Sequence, residues 1–379
     1  MPVERPAAAA RGHPSRIPLC ARMGDDDPWE VCHVLDELGW DADWEALAAG
    51  RTGAPARVVR ADGAAAALLA TEGGEVRAAG AGLVTGDWAL FLPGPDPDGP
   101  GTALRLPRRT ELVRGAGGKA AARQVLAANV ELVFVLVSLA APPSAGRLDR
   151  LLTVAWDSGA RPVVVLTKAD LAEGTAAAER DEVAETAGPA PVLLTSTVDG
   201  RGLAELRAML GPGTTAALLG VSGAGKSSLR NALGAAPAAV APVGRTGKGR
   251  HTTTARELVA LPGGGLLLDT PGLRGVQLWA ADEGLDIAFA DIVELAGRCR
   301  FRDCRHAGEP GCAIAAAVAD GTVSARRVAS HAALRHEVGW LQDRYDARQR
   351  AEQRREWKQL SKAVRAGRKA SPRHGDRPR

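Results

Sequence analysis

Residues 220–227 read Gly-Val-Ser-Gly-Ala-Gly-Lys-Ser, and this octet restricts the fold more than any other stretch of the chain. It matches G-x-x-x-x-G-K-[ST], follows the apolar run that starts at Ala216 and precedes the helical pattern Ser228–Leu233. Such a loop needs a strand ending before it and a helix starting after it. The backbone of Gly220, Val221, Ser222, Gly223, Ala224 and Gly225 would turn its N–H groups inward around phosphate oxygens, and the helix N-terminus adds a positive dipole end. Lys226 would reach the β- and γ-phosphates as the catalytic cation. The Ser227 hydroxyl would ligate Mg²⁺, with Ser228 beside it.

Three further loops fit the same chemistry. Asp269-Thr270-Pro271-Gly272 follows the apolar run Leu266–Leu268. A carboxylate at that strand end can hold Mg²⁺ through water, and the Gly272 N–H can sense a γ-phosphate. Thr167-Lys168-Ala169-Asp170 ends the run Pro162–Leu166 and resembles the guanine-reading Asn-Lys-x-Asp. Asp170 would accept two hydrogen bonds from the N1–H and N2–H₂ edge of guanine, which adenine cannot offer. Thr167 in place of Asn keeps one polar contact and loses the amide, so weaker base affinity is expected. Ser196-Thr197, after the run Pro191–Leu194, would bring a backbone N–H to guanine O6. These base-reading loops precede the phosphate loop, whereas ordinary GTPases carry them last. A circular permutation accounts for the order, because joining the old ends and cutting a surface loop preserves every strand neighbour.

The remaining sequence reads as α/β with added domains. Residues 28–50 hold two short amphipathic pieces broken at Gly39. Between Arg57 and Arg114, β-like runs at 57–60, 66–71, 75–78, 87–92 and 102–106 alternate with Gly, Pro and Asp turns, the spacing of a small barrel of about five strands. Apolar runs from Val130–Leu139 to Leu266–Leu268, separated by helical stretches at Leu148–Ser158 and Gly202–Leu210, read as buried parallel strands with crossover helices. After Asp282 come a helix, a Cys/His cluster and a long helical pattern at Ser324–Gly367. The expected division is a disordered extension at 1–27, the lead-in and barrel at 28–115, a permuted nucleotide domain at 116–281, a zinc-binding domain at 282–343 and a basic helical tail at 344–379.

Charge and cysteine usage narrow the partners. Residues 344–379 hold thirteen Lys/Arg against four Asp/Glu, so +9 of local charge sits in a chain whose net charge is +4. A polyanion is the natural partner for such a tail; a solvated helix with a disordered end is the plain alternative. The longest apolar stretch, Val130–Pro143, contains Glu131 and two prolines, so no membrane span is expected. Met1–Arg22 lacks the apolar core of a secretory signal. Cys299, Cys304, His306 and Cys312 offer three thiolates and one imidazole within fourteen residues, a complete tetrahedral set for zinc. Four protein ligands leave no open position, which favours a structural site in a reducing, cytoplasmic setting.

The permuted nucleotide loops, the barrel before them and the Cys/His cluster after them together resemble the ribosome small-subunit-dependent GTPase family (RsgA, also called YjeQ). Further matching stretches are Gln124–Glu131 and Gly249–Thr254. The resemblance implies an OB-fold, a permuted GTPase domain and a zinc domain. It also implies binding of the small (30S) subunit and its 16S rRNA, and GTP hydrolysis during late subunit maturation. A monomer is expected. The other readings are a permuted GTPase acting on another RNA or protein complex, and a hydrolytically idle RNA-binding scaffold. Leu273 stands where regulatory GTPases often carry a water-orienting Gln after D-x-x-G, so hydrolysis by the free protein should be slow. His251, in the Gly-rich segment between the phosphate loop and Asp269, is the candidate to position water, or alternatively an RNA contact. Thr253, or its neighbour Thr252, in the same segment would close on Mg²⁺ and the γ-phosphate.

Overall fold

A computed structural model describes residues 34–61, 66–96, 99–115, 123–235, 256–269, 278 and 281–370. The chain begins with α1 (Val34–Glu37) and α2 (Ala42–Ala48), then β1 (Ala54–Ala61), β2 (Ala66–Thr71), β3 (Gly74–Ala79), β4 (Trp88–Leu92) and β5 (Gly101–Arg105). Next come β6 (Glu111–Gly115), β7 (Arg123–Ala128), β8 (Leu132–Ser138), α3 (Ala145–Asp157), β9 (Arg161–Thr167), α4 (Ala176–Ala187) and β10 (Val192–Leu194). They are followed by α5 (Leu203–Ala208), β11 (Thr215–Leu219), α6 (Lys226–Ala232), β12 (Glu257–Ala260) and β13 (Leu266–Asp269). The described chain ends with α7 (Asp282–Ala288), α8 (Ala290–Ala296), α9 (Ala313–Ala319) and α10 (Ala325–Ala370). Among the described residues, no helix is long and apolar enough to cross a membrane.

Two compact units emerge, the first made of residues up to Arg108 with Leu203–Ala217 and Ser227–Pro271. Its strands β1, β2, β3, β5 and β4 pair in that order, and β4 returns to β1, closing a five-stranded barrel. The β2–β3 hairpin is tight because Glu72 and Gly73 alone join Thr71 to its partner Gly74. Alternate residues point inward, so Ala56, Val58, Ala67, Leu69, Ala78, Leu83 and Ala89 fill the interior. Small alanines among them let so narrow a barrel close. Asp41 starts α2 by accepting the N–H groups of Asp43 and Trp44 at 3.1 and 3.0 Å. Trp44 then packs with Trp40 and Trp88 under the barrel wall. Arg57 is buried there, with Nε donating to the Gly86 carbonyl at 3.1 Å and Nη2 to Thr215 Oγ1 at 3.2 Å. In this unit the strands beyond β1 run β12, β13, β11. β12 is antiparallel to both β1 and β13, an arrangement its four-residue length did not announce in the sequence.

The second unit holds Arg109–Gly202, Leu218–Lys226 and Gly272–Arg379. Strands β10, β9 and β8 are parallel neighbours, with the end of β11 next to β8. β8 and β9 are apolar almost throughout because both faces are covered, which removes the alternation of a half-exposed strand. β6 and β7 form a separate antiparallel pair. The periodicity did not resolve this pair, since Arg114, Gly115 and Arg123 break it.

The start of α10 is fastened by charge. Arg327 makes a bidentate pair with Asp291 at 2.7 and 2.9 Å. The buried Asp149 of α3 receives Arg326 at 3.0 Å and Ser330 Oγ at 2.6 Å. Arg150 pairs with Glu337 through two bonds of 2.6 Å.

Candidate functional site

β11 is buried along its length and delivers the chain to the loop at Gly220. A Cβ on Gly220 would sit 2.9 Å from the Leu136 carbonyl oxygen, so the residue must be glycine. Gly223 and Gly225 take φ of +82° and +92°, the left-handed region that other residues enter at a cost. These turns leave Lys226 pointing back over the loop, with Nζ donating to the carbonyls of Gly220 and Val221 at 2.7 and 3.0 Å. Lys226, Ser227 and Ser228 form the first turn of α6, where backbone N–H groups have no partner within the helix.

The Thr167–Asp170 segment is anchored to the Gly220–Lys226 loop. Thr167 ends β9 and is buried, and its Oγ1 donates to the Ala224 carbonyl at 2.8 Å. Lys168 follows with φ +61°, which turns the chain sharply into the single 3₁₀ turn Ala169–Leu171 that carries Asp170. Ala169 N–H donates to the Thr195 carbonyl at 3.0 Å, and Thr195 N–H to the Leu166 carbonyl at 2.7 Å. The loop that carries Ser196 is thereby held against Ala169. Ser196 Oγ accepts from the N–H groups of Val198 and Asp199, while its own N–H donates to the Arg201 carbonyl at 3.0 Å. The Arg201 backbone N–H, 2.9 Å from Asp199, holds that carboxyl below its ordinary range. A cavity of about 280 Å³ adjoins Lys168 and Val221–Ala224, with Pro142, Pro143 and Arg147 on its other side. The loop after β8 that supplies Pro142 and Pro143, and the start of α3 that supplies Arg147, carried no recognisable signal in the sequence.

In the first unit, Asp269 closes β13 and pairs in register with Glu257 of β12. His251, Thr253 and Gly272 lie outside the described residues.

The four candidate zinc ligands converge: the ligand atoms of Cys299, Cys304, His306 and Cys312 all lie within 4.8 Å of one another. His306 Nδ1 is 3.6 Å from the sulfurs of both Cys299 and Cys312. Metal bonds of ~2.3 Å to sulfur and ~2.0 Å to nitrogen at the tetrahedral angle give an edge of about 3.5 Å. The donor set therefore fits a zinc ion in size and chemistry. His306 reaches it with φ +59°, and Cys312 caps α9, its sulfur accepting the Ala315 N–H. Glu309 braces the intervening loop, accepting the N–H groups of Arg305 at 3.0 Å and Ala307 at 2.7 Å. Nothing in the spacing singled out Glu309, because its partners are backbone groups.

Known proteins resemble this chain over most of its length. A family model described as RsgA GTPase matches residues 105–279. A small ribosomal subunit biogenesis GTPase RsgA from Streptomyces avermitilis is 46% identical, over 86% of this chain and 91% of the relative. One of the same name from Opitutus terrae is 42% identical, over 88% and 97%. Among solved structures, YjeQ from Thermotoga maritima aligns with a TM-score of 0.56 at 26% identity, covering 75% of this chain and 98% of that one. YloQ, described as a circularly permuted GTPase, aligns at 0.55 and 25% identity over 76% and 96%. With this identity spread over most of both chains, the chain belongs to the RsgA GTPase family.

Proposed function

We propose that this protein hydrolyses GTP while bound to the small (30S) ribosomal subunit and its 16S rRNA, and assists late maturation of that subunit. The observation that carries the reading is the hydrogen bond from Thr167 to Ala224, which joins a guanine-type reading loop to a phosphate loop in permuted order. In this reading Asp170, with Thr167, Lys168, Ala169 and Ser196, selects guanine. Residues Gly220–Ser228 hold the phosphates, and Lys226 neutralises charge that develops on them during transfer. Ser227, Thr253 and Asp269 serve Mg²⁺, which when bound draws charge from the β- and γ-oxygens. Gly272 senses the γ-phosphate, and His251 positions the attacking water once the subunit is engaged. Zinc at Cys299, Cys304, His306 and Cys312 is structural, coupling thiolate ligation to folding of residues 299–312. The functional division follows residues 28–115, 116–281, 282–343 and 344–379, and the protein works as a cytoplasmic monomer.

Co-sedimentation with isolated small subunits tests the reading. Binding should be strong with a non-hydrolysable GTP analogue and weak with GDP. His251→Ala should keep that binding and lose subunit-stimulated hydrolysis. Absence of nucleotide-dependent co-sedimentation would remove the ribosome from the proposal.

A further inference from the structure

Among the described residues, the last buried side chains of α10 are Leu334 and Val338. Beyond them none of the described side chains is buried, yet the helix continues to Ala370. From Trp340 to Ala370 the sequence holds ten Lys/Arg and four Asp/Glu. Two tryptophans lie in this solvated stretch, Trp340 at 50% and Trp357 at 71% exposure. Large exposed indoles on so charged a helix are informative, because they gain nothing from the fold itself.

Their neighbours are cations. Arg344 stacks on Trp340 with its guanidinium 4.6 Å from the ring centre. Arg350, Arg354, Trp357 and Lys358 line one open stretch of the helix surface. At 3.6 residues per turn, Trp340, Arg344, Arg350, Arg354, Trp357 and Lys358 fall within an arc of about 140° and span about 27 Å of helix. Asp343 is the carboxylate within that arc among the described residues. The arrangement interleaves flat aromatic faces with phosphate-binding groups on one side of a rod.

We propose that this face of α10 is a docking surface for unpaired RNA, with Trp340 and Trp357 stacking on bases and Arg344, Arg350, Arg354 and Lys358 contacting phosphates. Unpaired RNA presents both chemistries at once, splayed bases and a regular line of negative charge. A duplex hides its base faces, which would leave the indoles idle. A membrane surface needs a continuous apolar face opposite the charges, and here the tryptophans share the arc with the cations. The contact rests on the proposed engagement of RNA and names a surface for it, and it is measured without ribosomes, so its failure is distinguishable from failure of the maturation reading.

The test uses the full chain and a fluorescently labelled, unstructured RNA oligonucleotide, with a duplex of equal length as competitor. The single strand should bind more tightly than the duplex. Trp340→Ala and Trp357→Ala should each weaken it by about 5- to 150-fold. Trp357→Phe, which keeps an aromatic face, should recover much of the loss. Replacing the four cations by Gln should flatten the log–log salt slope by about 3. GTP hydrolysis without RNA and the thermal transition should stay at wild-type values in all variants. Should an alanine variant unfold, Trp→Gln at the same exposed helical position repeats the measurement. Equal affinity for duplex and single strand, unchanged affinity in the tryptophan variants, or tryptophan-dependent binding of anionic phospholipid vesicles or polyglutamate in preference to RNA would each overturn the proposal.

Discussion

Thr167 Oγ1 donates a hydrogen bond to the Ala224 carbonyl across 2.8 Å, tying the end of β9 to the phosphate loop. A Cβ on Gly225 would meet the Thr167 side chain at 3.5 Å, so the threonine also packs against the neighbouring turn. The hydroxyl thus adds a direct tie between the Thr167–Asp170 segment and the Gly220–Lys226 loop. Thr167→Val keeps the shape and removes that bond, a net loss of about 0.5–1.5 kcal/mol. Affinity for a fluorescent GDP analogue should fall by roughly 2- to 10-fold. Thr167→Ser should stay near wild type, and equal affinity in the valine variant would dismiss the coupling.

Base choice should reside in Asp170, which the 3₁₀ turn holds half-buried at the mouth of the same loop. Asp170→Asn sets a donor against the N1–H and N2–H₂ edge, costing about 2–4 kcal/mol in a desolvated contact. Preference should move from GTP towards XTP in a competition titration. A variant that retains the wild-type margin for GTP would locate guanine recognition elsewhere.

Removing one candidate zinc ligand should loosen residues 299–312 and leave nucleotide binding intact. Cys304→Ala leaves three donors around a site built for four, so bound zinc measured by atomic absorption should fall below one equivalent. Cleavage by trypsin around residues 299–312 should accelerate, because Arg300, Arg302 and Arg305 sit in the loop that the metal would close. GDP affinity should not change, since the ligands share no segment with the phosphate loop.

Asp157 at the end of α3 supplies a pH test. Burial raises its carboxyl to about 6, although the Gly284 N–H donates to it and pulls the other way. Gly284 comes this close because any Cβ would lie 2.3 Å from the Thr153 carbonyl oxygen. A group with a raised folded value binds its proton more tightly in the folded state, so its contribution favours folding below pH ~4 and is lost as pH rises through about 6. Asp157→Asn keeps an acceptor for Gly284 and removes the charge. Its thermal midpoint should exceed wild type at pH 7 and match it near pH 4. A constant difference at both pH values would show that ionisation of Asp157 is not the cause.

The phosphate loop, the order of the nucleotide motifs, the five barrel strands and the Cys₃His set were legible because each follows from a short-range requirement. Gly220 to Lys226 must turn tightly within a few residues. Zinc ligands must come in a soft tetrahedral set. Barrel strands alternate at period two, and buried parallel strands such as β8 and β9 are apolar throughout. None of these needs knowledge of a distant partner.

Partners far apart in the chain were decided only by tertiary structure. Thr167 meets Ala224 57 residues later, and Arg57 meets Thr215 158 residues later. Glu257 of β12 pairs with Arg60 of β1 although nothing in four residues specifies an antiparallel neighbour. Glu309 finds backbone N–H groups, which every residue offers alike. Sequence by itself therefore determined which chemistry each local segment can perform. The distances between those segments came from packing, because side-chain type sets what a group can bond to, while the meeting of strands and helices sets what it can reach.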